Sequence, residues 1–560
     1  MKTKTIQLIK NIFQPIIYDT TLREGMQTPG GIGGSMEEKI FAANHIAVFA
    51  DWVEIGMPAN IIDYELIRSI KQSYQVNNVK TGIAVLCLNR KEDIDKAQEV
   101  IGDYKKTLAH IFIGTSEEHR KNRFGGKKSK QEYCNDIKKV LKYAAQKSFT
   151  RIMFSPEDSF RTFKESKEDF FDFVNGAISG YEEGKNKFKR DEKLVLNFPD
   201  TVGKSTILEF EQMLDEIIKR YNDKIEISVH CHNDSSASNQ QAIEVFINKK
   251  ANWLQTTFGG LGERNGIAST EGIIVNLAER GYLKDKPYCN KKDFSTLVLR
   301  THAILAALGR RVPDEAIVSG SRVNISTAGI HTDLVVKDFA TYHINGNKYG
   351  AKPMIEFGST SGANQLIPVL KKIGINKIKK ELIPFAEQLK KKCNSAKAAM
   401  SETDIMYEAI HYFYEFEDPF IVSDYCIRNQ KNRRLIVLLK GIYYGKSFKE
   451  INYGSRTLET LINTIKRITG YIELIDFKPQ VIPRIPEKYL TWKQGETPAI
   501  PDGLDICSYL KVTTQITDGN DIYTGEGTTD DVFKSIIDST INAMIKMETI
   551  KKFKTKYLNI

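Results

Sequence analysis

No apolar run in the 560-residue chain is long enough to span a bilayer. The opening stretch MKTKTIQLIKNIFQPIIYDTT holds neither a long apolar core nor a small-residue cleavage site. A membrane partner is therefore not expected, and the expected location is the cytoplasm. Cysteine is sparse: seven residues (Cys87, Cys134, Cys231, Cys289, Cys393, Cys426 and Cys507), an odd number with no CxxC spacing. That pattern argues for a reducing compartment and against a disulfide frame or a structural zinc site. No GxGxxG follows the first strand-like run; DTTLREGMQ stands there instead, which serves a doubly wound dinucleotide-binding sheet poorly. Nor does any block concentrate the positive charge. The 81 Lys and Arg against 70 Asp and Glu give +11, but the lysines are spread over many helical segments. This describes a solvated surface, and no nucleic-acid partner is expected.

What is present is an ordinary globular composition, 41% hydrophobic and 27% charged, on a chain too long for one ordinary domain. Its first 270 or so residues repeat one pattern. Short β-branched or apolar runs end in polar residues and lead into helical segments. The runs are PIIYDTTLRE, WVEIGMP, VKTGIAVLC, HIFIGTS, RIMFSPED, LVLNFPDT, IEISVHCHND and WLQTTFGGLGER. Between them, segments such as MEEKIFAANHIAVF and SNQQAIEVFINKKA carry apolar residues at spacings of three and four. Eight such units predict an α/β protein built on a (β/α)8 barrel, because parallel strands need crossover helices and right-handed crossovers close the sheet.

A barrel of this kind places its chemistry at the C-terminal ends of the strands. Those ends carry Arg23, Glu24, Glu54, Ser116, Ser155, Glu157, Thr201, His230, His232, Glu263 and Arg264. Barrel interiors favour Val, Ile and Leu, so this collection calls for water, a ligand or mutual pairing. Two of the chain's nine histidines sit one residue apart in VHCHND. On a strand that spacing turns both imidazoles to one face, an arrangement that packs poorly and ligates metal well. Cys231 between them should face the other way. Two imidazoles with one carboxylate make an open metal site, and Glu24 is the best carboxylate candidate, since strand one adjoins strand eight in a closed barrel. Nitrogen and oxygen ligands without thiolate suit Zn, Mn, Co or Mg. Arg23 is a fixed positive charge fitted to a developing alkoxide or enolate oxygen, or else to a salt bridge across the barrel mouth.

DTTLREGMQ, FSPED, FPDTVG, VHCHND, GGLGERNG and TAGIH occur here in the order found in the acyl-CoA condensing enzymes that include 2-isopropylmalate, homocitrate and citramalate synthases, and the chain resembles that family from about Ile17 onward. The resemblance implies a divalent metal held by Glu24, His230 and His232, and a 2-oxo acid that chelates it. It implies Arg23, Gln27, Ser155 and Thr201 as substrate-binding residues, with Glu157 near the reacting carbons. His331 is similar to a family histidine that enters the site from a partner subunit, which implies a homodimer with Arg23, Glu157 and His331 as its catalytic residues. The implied reaction is attack of deprotonated acetyl-CoA on the 2-oxo acid, followed by thioester hydrolysis. A lyase of the same barrel superfamily is the alternative, as is a catalytically dead sensor.

The run GERNGI departs from the family's GERAGN, placing Ile267 where an asparagine is usual and shifting Asn265. Homocitrate synthases commonly carry an arginine two residues before the serine of PEDSFR, where this chain has Met153. VLCLNRKEDID is closer to the isopropylmalate branch. Both features point to an acceptor with an apolar tail, 2-oxoisovalerate first and pyruvate next, with 2-oxoglutarate disfavoured by an unpaired carboxylate. The expected domains are a barrel (1–285), a helical linker region reaching the partner's site (286–400) and a C-terminal α+β regulatory or dimerisation domain (401–560), where an amino-acid effector such as leucine would bind. In that last part YYGKSFKEINYGSRTLETLINTIKRI and DIYTGEGTTDDVFKSIIDSTINAM form a weak repeat of strand, turn and amphipathic helix, with LIDFKPQVI as another strand. Ser455 and Thr528 are the expected N-caps, and Gly454 and Gly527 the expected turn residues.

Overall fold

The eight apolar runs become the eight strands of a closed parallel barrel in consecutive order. They are β1 (Ile16–Asp19), β2 (Trp52–Glu54), β3 (Gly82–Leu88), β4 (Thr107–Gly114), β5 (Arg151–Glu157), β6 (Leu194–Asp200), β7 (Ile225–Cys231) and β8 (Trp253–Thr256). The computed structural model describes residues 13–558 apart from 126–127, 189, 222–223, 285, 287–290, 329–330, 332–333, 335–345, 352–353, 397, 431–433, 483–508 and 530. Cys289, Cys507 and the start of the N-terminal stretch lie outside the described residues. Among the described residues no helix is long and apolar enough to cross a membrane, and Cys87, Cys134, Cys231, Cys393 and Cys426 are unbridged.

Closure comes from β1 pairing with β8, Ile16 opposite Trp253 and Asp19 opposite Thr256. Alternation along each strand then sorts side chains into two layers. Outward residues such as Val85, Ile111, Phe154, Leu196 and Val229 join the surrounding helices in the main core. Inward, Tyr18, Trp52, Leu108, Met153, Val195 and Trp253 fill the N-terminal half of the lumen as a separate cluster. The lumen is therefore floored with large side chains, and only its upper half is left for chemistry. The helices follow from their patterns. Ile207–Tyr221 buries Phe210, Met213, Leu214, Ile217 and Tyr221, a stripe at helical spacing. Met36–Ile46 opens on a capping box in which Ser35 and Glu38 satisfy each other's backbone N–H groups.

The chain divides into two compact units, Met1–Asn324 with Asn345–Lys352, and Ile325–Ile344 with Pro353–Ile560. The second has its own core, running from Phe357 through Leu389, Ile405 and Leu439 to Phe553. After a short parallel pair, β9 (Ile325–Ser326) and β10 (Met354–Ile355), come three helices, Leu366–Lys371, Lys379–Ala396 and Glu402–Phe413. Two copies of one motif follow. In the first, β11 (Phe420–Gln430), β12 (Arg434–Tyr443) and β13 (Lys446–Gly454) form an antiparallel sheet that leads into helix Thr457–Thr469. In the second, β14 (Glu473–Ile482), β15 (Tyr509–Thr517) and β16 (Ile522–Thr529) lead into helix Val532–Leu558. The repeat is thus deeper than the sequence signal, three strands per copy.

Its expected caps are not used. Arg456 occupies the N-cap of the first helix without a side-chain bond. At the second helix the Asp531 carboxylate accepts the Lys534 N–H at 2.8 Å. Gly454 and Gly527 do not turn the chain but let strand and helix approach. A Cβ at Gly454 would lie 2.0 Å from Thr460 Oγ1, and one at Gly527 2.2 Å from the Ser535 carbonyl.

Candidate active site

The upper lumen is polar because particular strand positions force it to be. Asp19 ends β1, and its carboxylate accepts the Thr21 N–H at 2.9 Å, starting the single-turn helix Thr21–Glu24. That turn, rather than β1 itself, carries Arg23 and Glu24. His230 lies on β7 with inward parity. His232 lies one residue past the strand, in an antiparallel bridge with Ile267. One ligand atom from each of Glu24, His230 and His232 lies within 4.8 Å of the others, and all three residues are buried. The two Nε2 atoms face each other at 3.2 Å.

Electrostatics set the charge states. Burial pushes both imidazoles down, His232 to about 3 with His230 as the second cause. For Glu24 burial works toward protonation, but the Arg23 guanidinium and then the two imidazoles hold it below the usual carboxylate range. At neutral pH the cluster is two neutral imidazoles and one carboxylate, a donor set that fits a divalent cation. His232 Nδ1 is buried without a hydrogen-bond partner, as expected of a side chain whose place is set by something other than hydrogen bonding.

Beside the cluster Glu54, fully buried, accepts four bonds: from Tyr18 Oη at 2.7 Å, His110 Nδ1 at 2.6 Å, Arg23 Nε at 2.6 Å and Thr20 Oγ1 at 3.0 Å. Burial opposes its charge, yet Arg23 and His110 outweigh burial and hold the group far below the usual range. Arg23 is thereby fixed between Glu54 and Glu24, with Gln27 Oε1 3.3 Å from its Nη1. Because a carboxylate only accepts, a neutral His110 carries its hydrogen on Nδ1. Its Nε2, 2.6 Å from Ser155 Oγ, then accepts from that hydroxyl. Asn197 Nδ2 donates to the same oxygen at 2.7 Å, while Asn197 Oδ1 is buried without a partner.

The other expected residues fall in distinct places. Glu157 sits half-buried at the end of β5, 4.0 Å from His119 Nδ1. Thr201 Oγ1 accepts the N–H of Asp158, which has φ +64°, and so ties the ends of β5 and β6 together. Arg264 donates to the Thr201 carbonyl at 2.7 Å and pairs with Asp234 through two nitrogens, so it serves the rim. Ser116 caps the helix Glu117–Phe124. Glu263 and Asn265 are exposed, and Cys231 is buried in the outer core as its parity requires. His331 is exposed and belongs to the second unit; its neighbours in TAGIHTD at 329–330 and 332–333 lie outside the described residues. Met153 does not reach the cavity: it is 0% exposed, in the floor, with its sulfur 3.3 Å from Gln255 Nε2. Tyr18, His110, Asn197 and Gln255 were not among the expected site residues. Each is a polar or phenolic residue at an inward position of an otherwise apolar run, which is the signal that marks them.

The chain is similar to known proteins. The HMGL-like family profile matches residues 14–298, just over half of the chain. A 2-isopropylmalate synthase of Halothermothrix orenii is 27% identical over 553 residues, covering 96% of each chain. One from Listeria welshimeri is 29% identical over 476 residues, 83% of this chain and 87% of its own. One from Sediminispirochaeta smaragdinae is 31% identical over 335 residues, 59% and 61%. The chain belongs to the HMGL-like family.

Proposed function

We propose that the chain is a 2-isopropylmalate synthase-type acyltransferase, condensing acetyl-CoA with a 2-oxo acid to give a 2-alkylmalate and CoA. The observation that carries this reading is the buried Glu24–His230–His232 cluster beside a fixed Arg23, in a chain that aligns almost end to end with synthases of that name. A divalent cation held by the three residues would act as a Lewis acid toward the acceptor's carbonyl.

The protein's own groups supply the rest. Arg23, locked by Glu54, presents a cation that cannot be neutralised to the oxygen that gains charge. Thr201 Oγ1 accepts from Asp158, so its own hydrogen is left to bind the acceptor's carboxylate. Ser155 lines the wall with His110 and Asn197. Glu157, at the mouth, takes a proton from the thioester's methyl carbon. The new C–C bond forms between that carbon and C2 of the acceptor as the C2–O π bond opens, and the oxygen, its charge met by Arg23, takes a proton from water to become the alcohol. Water then adds to the thioester carbonyl, the C–S bond breaks, and CoA leaves as the thiol. His331 serves from the partner subunit of a homodimer.

Strand parity favours a small apolar acceptor tail. Ala84 and Leu108 face the lumen, so Leu86, Leu88 and Phe112 share that face higher up, with Leu86 opposite His110 and Phe112 opposite Ser155. A second carboxylate would meet no cation on this wall, which favours 2-oxoisovalerate over 2-oxoglutarate. We assign residues 286–400 to the linker and 401–560 to dimerisation and effector binding. A polar concavity of about 500 Å³ lined by Tyr453, Ser455, Glu459, Asn463 and Arg467 offers charges of both signs to an amino acid there. Inhibition of the full chain by leucine tests that assignment.

The primary test is thiol release from acetyl-CoA with pyruvate, 2-oxobutyrate, 2-oxoisovalerate and 2-oxoglutarate, with and without EDTA. Metal-dependent release with 2-oxoisovalerate, lost together with bound metal in His232→Ala, is the expected result. Bound metal with no release from any acceptor would replace this reading with the lyase.

A further inference from the structure

We infer that Gln255 is a positioning residue that sets the tautomer of His230, and that Met153 sets the orientation of the Gln255 amide; the inference rests on the metal-site reading above. Gln255 is 1% exposed on β8. Its Oε1 lies 2.9 Å from His230 Nδ1, and its Nε2 lies 3.3 Å from Met153 Sδ. A thioether sulfur has lone pairs and no hydrogen, so the amide end that faces it favourably is the NH2. That leaves the carbonyl oxygen toward His230. An oxygen only accepts, so His230 carries its hydrogen on Nδ1, and its Nε2 lone pair is bare toward the ligand cluster. With the amide reversed, oxygen would face sulfur lone pairs, the NH2 would face Nδ1, and the imidazole hydrogen would move to Nε2, closing the ligand position.

The two Nε2 atoms stand 3.2 Å apart, so the bare lone pair of His230 lies where the ligand atoms of the cluster converge.

The test is long-range 1H–15N NMR on the histidine-labelled full chain at pH 8, metal-free and then loaded with Zn2+, with signals assigned from His230 and His232 variants. Zn2+ affinity is measured in parallel by competition with a chromophoric chelator. His230 is expected as the Nδ1–H tautomer in both states. Gln255→Leu should give mixed His230 tautomers and a 10- to 100-fold loss of Zn2+ affinity, on the order seen for partners of metal-bound histidines. Met153→Leu should give the same mixture with a smaller loss. Gln255→Glu, which still accepts, should keep the Nδ1–H form and guards against a folding failure in the leucine variant. An Nε2–H His230 in the metal-free wild type, or unchanged affinity in Gln255→Leu, overturns the proposal. A wild type that binds no Zn2+ overturns the metal reading, while the His230 tautomer still decides the role of Gln255.

Discussion

Replacing Glu54 by glutamine keeps the shape of the side chain and removes one charge where four donors converge. The carboxylate has two oxygens, each taking two bonds: Oε1 from Tyr18 and His110, Oε2 from Arg23 and Thr20. A carboxamide has one oxygen, so two donors must face an NH2 whichever way it turns. The least costly orientation keeps oxygen toward Arg23 and Thr20. His110 can then shift its hydrogen to Nε2 and donate to Ser155, and the Tyr18 hydroxyl must find another acceptor. What cannot be recovered is the charge partner of Arg23. Breaking a buried ion pair costs about 3–5 kcal/mol, and because Arg23 keeps Glu24 the low end applies, about 3 kcal/mol. Tyr18→Phe, which removes one neutral donor, should cost about 1 kcal/mol. Urea unfolding followed by tryptophan fluorescence reads the barrel, since two of the three tryptophans, Trp52 and Trp253, stand in its floor. Because Glu54 titrates far below the usual range, its contribution is fully present above that range and is lost only in strong acid. The cost of Glu54→Gln should therefore be the same at pH 5.5 and pH 8, to within about 0.5 kcal/mol, the usual additivity error. A Glu54→Gln protein within about 1 kcal/mol of wild type, less than the low end for a broken buried pair, would refute the claim that this carboxylate holds Arg23 in place.

Glu271 gives the opposite pH dependence: burial pushes its carboxyl from 4.5 to about 7 even though the Gly259 N–H donates to it. Between the ordinary carboxylate range and about 7 the folded chain holds the extra proton, so stability is greatest below that window and declines by roughly 3 kcal/mol as pH rises through it. Glu271→Gln should flatten that decline in urea midpoints taken across pH 5 to 8, and equal slopes in the two proteins would refute the assignment. A chain ending at residue 400 would uncover Phe357, Leu366, Leu382 and Leu389, which share a core with Ile405 and Leu439. It should bind an apolar dye strongly or aggregate, and a soluble, dye-silent fragment would contradict the single core.

The barrel was legible because parallel strands covered on both faces read as apolar runs, and eight such runs are hard to seat otherwise. The His230 and His232 pair was legible because its spacing is local. Glu54, His110 and Ser155 were not readable as a network, since their bonds join β2, β4 and β5 across 56 and 45 residues, and register between strands is absent from a linear pattern. Met153 was misread for the same reason. Its residue type suggested a substrate wall, but it packs with Tyr18, Leu108, Val195 and Trp253 in the cluster that floors the lumen. In the second unit the helices were visible and their caps were not. Ser455 and Thr528 are good capping residues, but the helices begin at Thr457 and Val532, past both, and a side chain can cap only the turn that follows it directly.

The bridge between His232 and Ile267 bears on which insertions and deletions the chain can accept. His232 stands beyond the barrel strand, and the backbone partner that holds it comes from the run after β8, with the Asn233 N–H also bound to the Gly266 carbonyl at 2.9 Å. In a β-bridge one residue of slip turns a side chain to the opposite face. GERNGI can thus exchange residue types, as it does at Asn265 and Ile267, but a single inserted or deleted residue there would rotate a histidine on another strand out of the site. The loop is fixed in length and at Gly266, where a Cβ would lie 1.8 Å from the Gly260 carbonyl oxygen, and is freer in composition elsewhere.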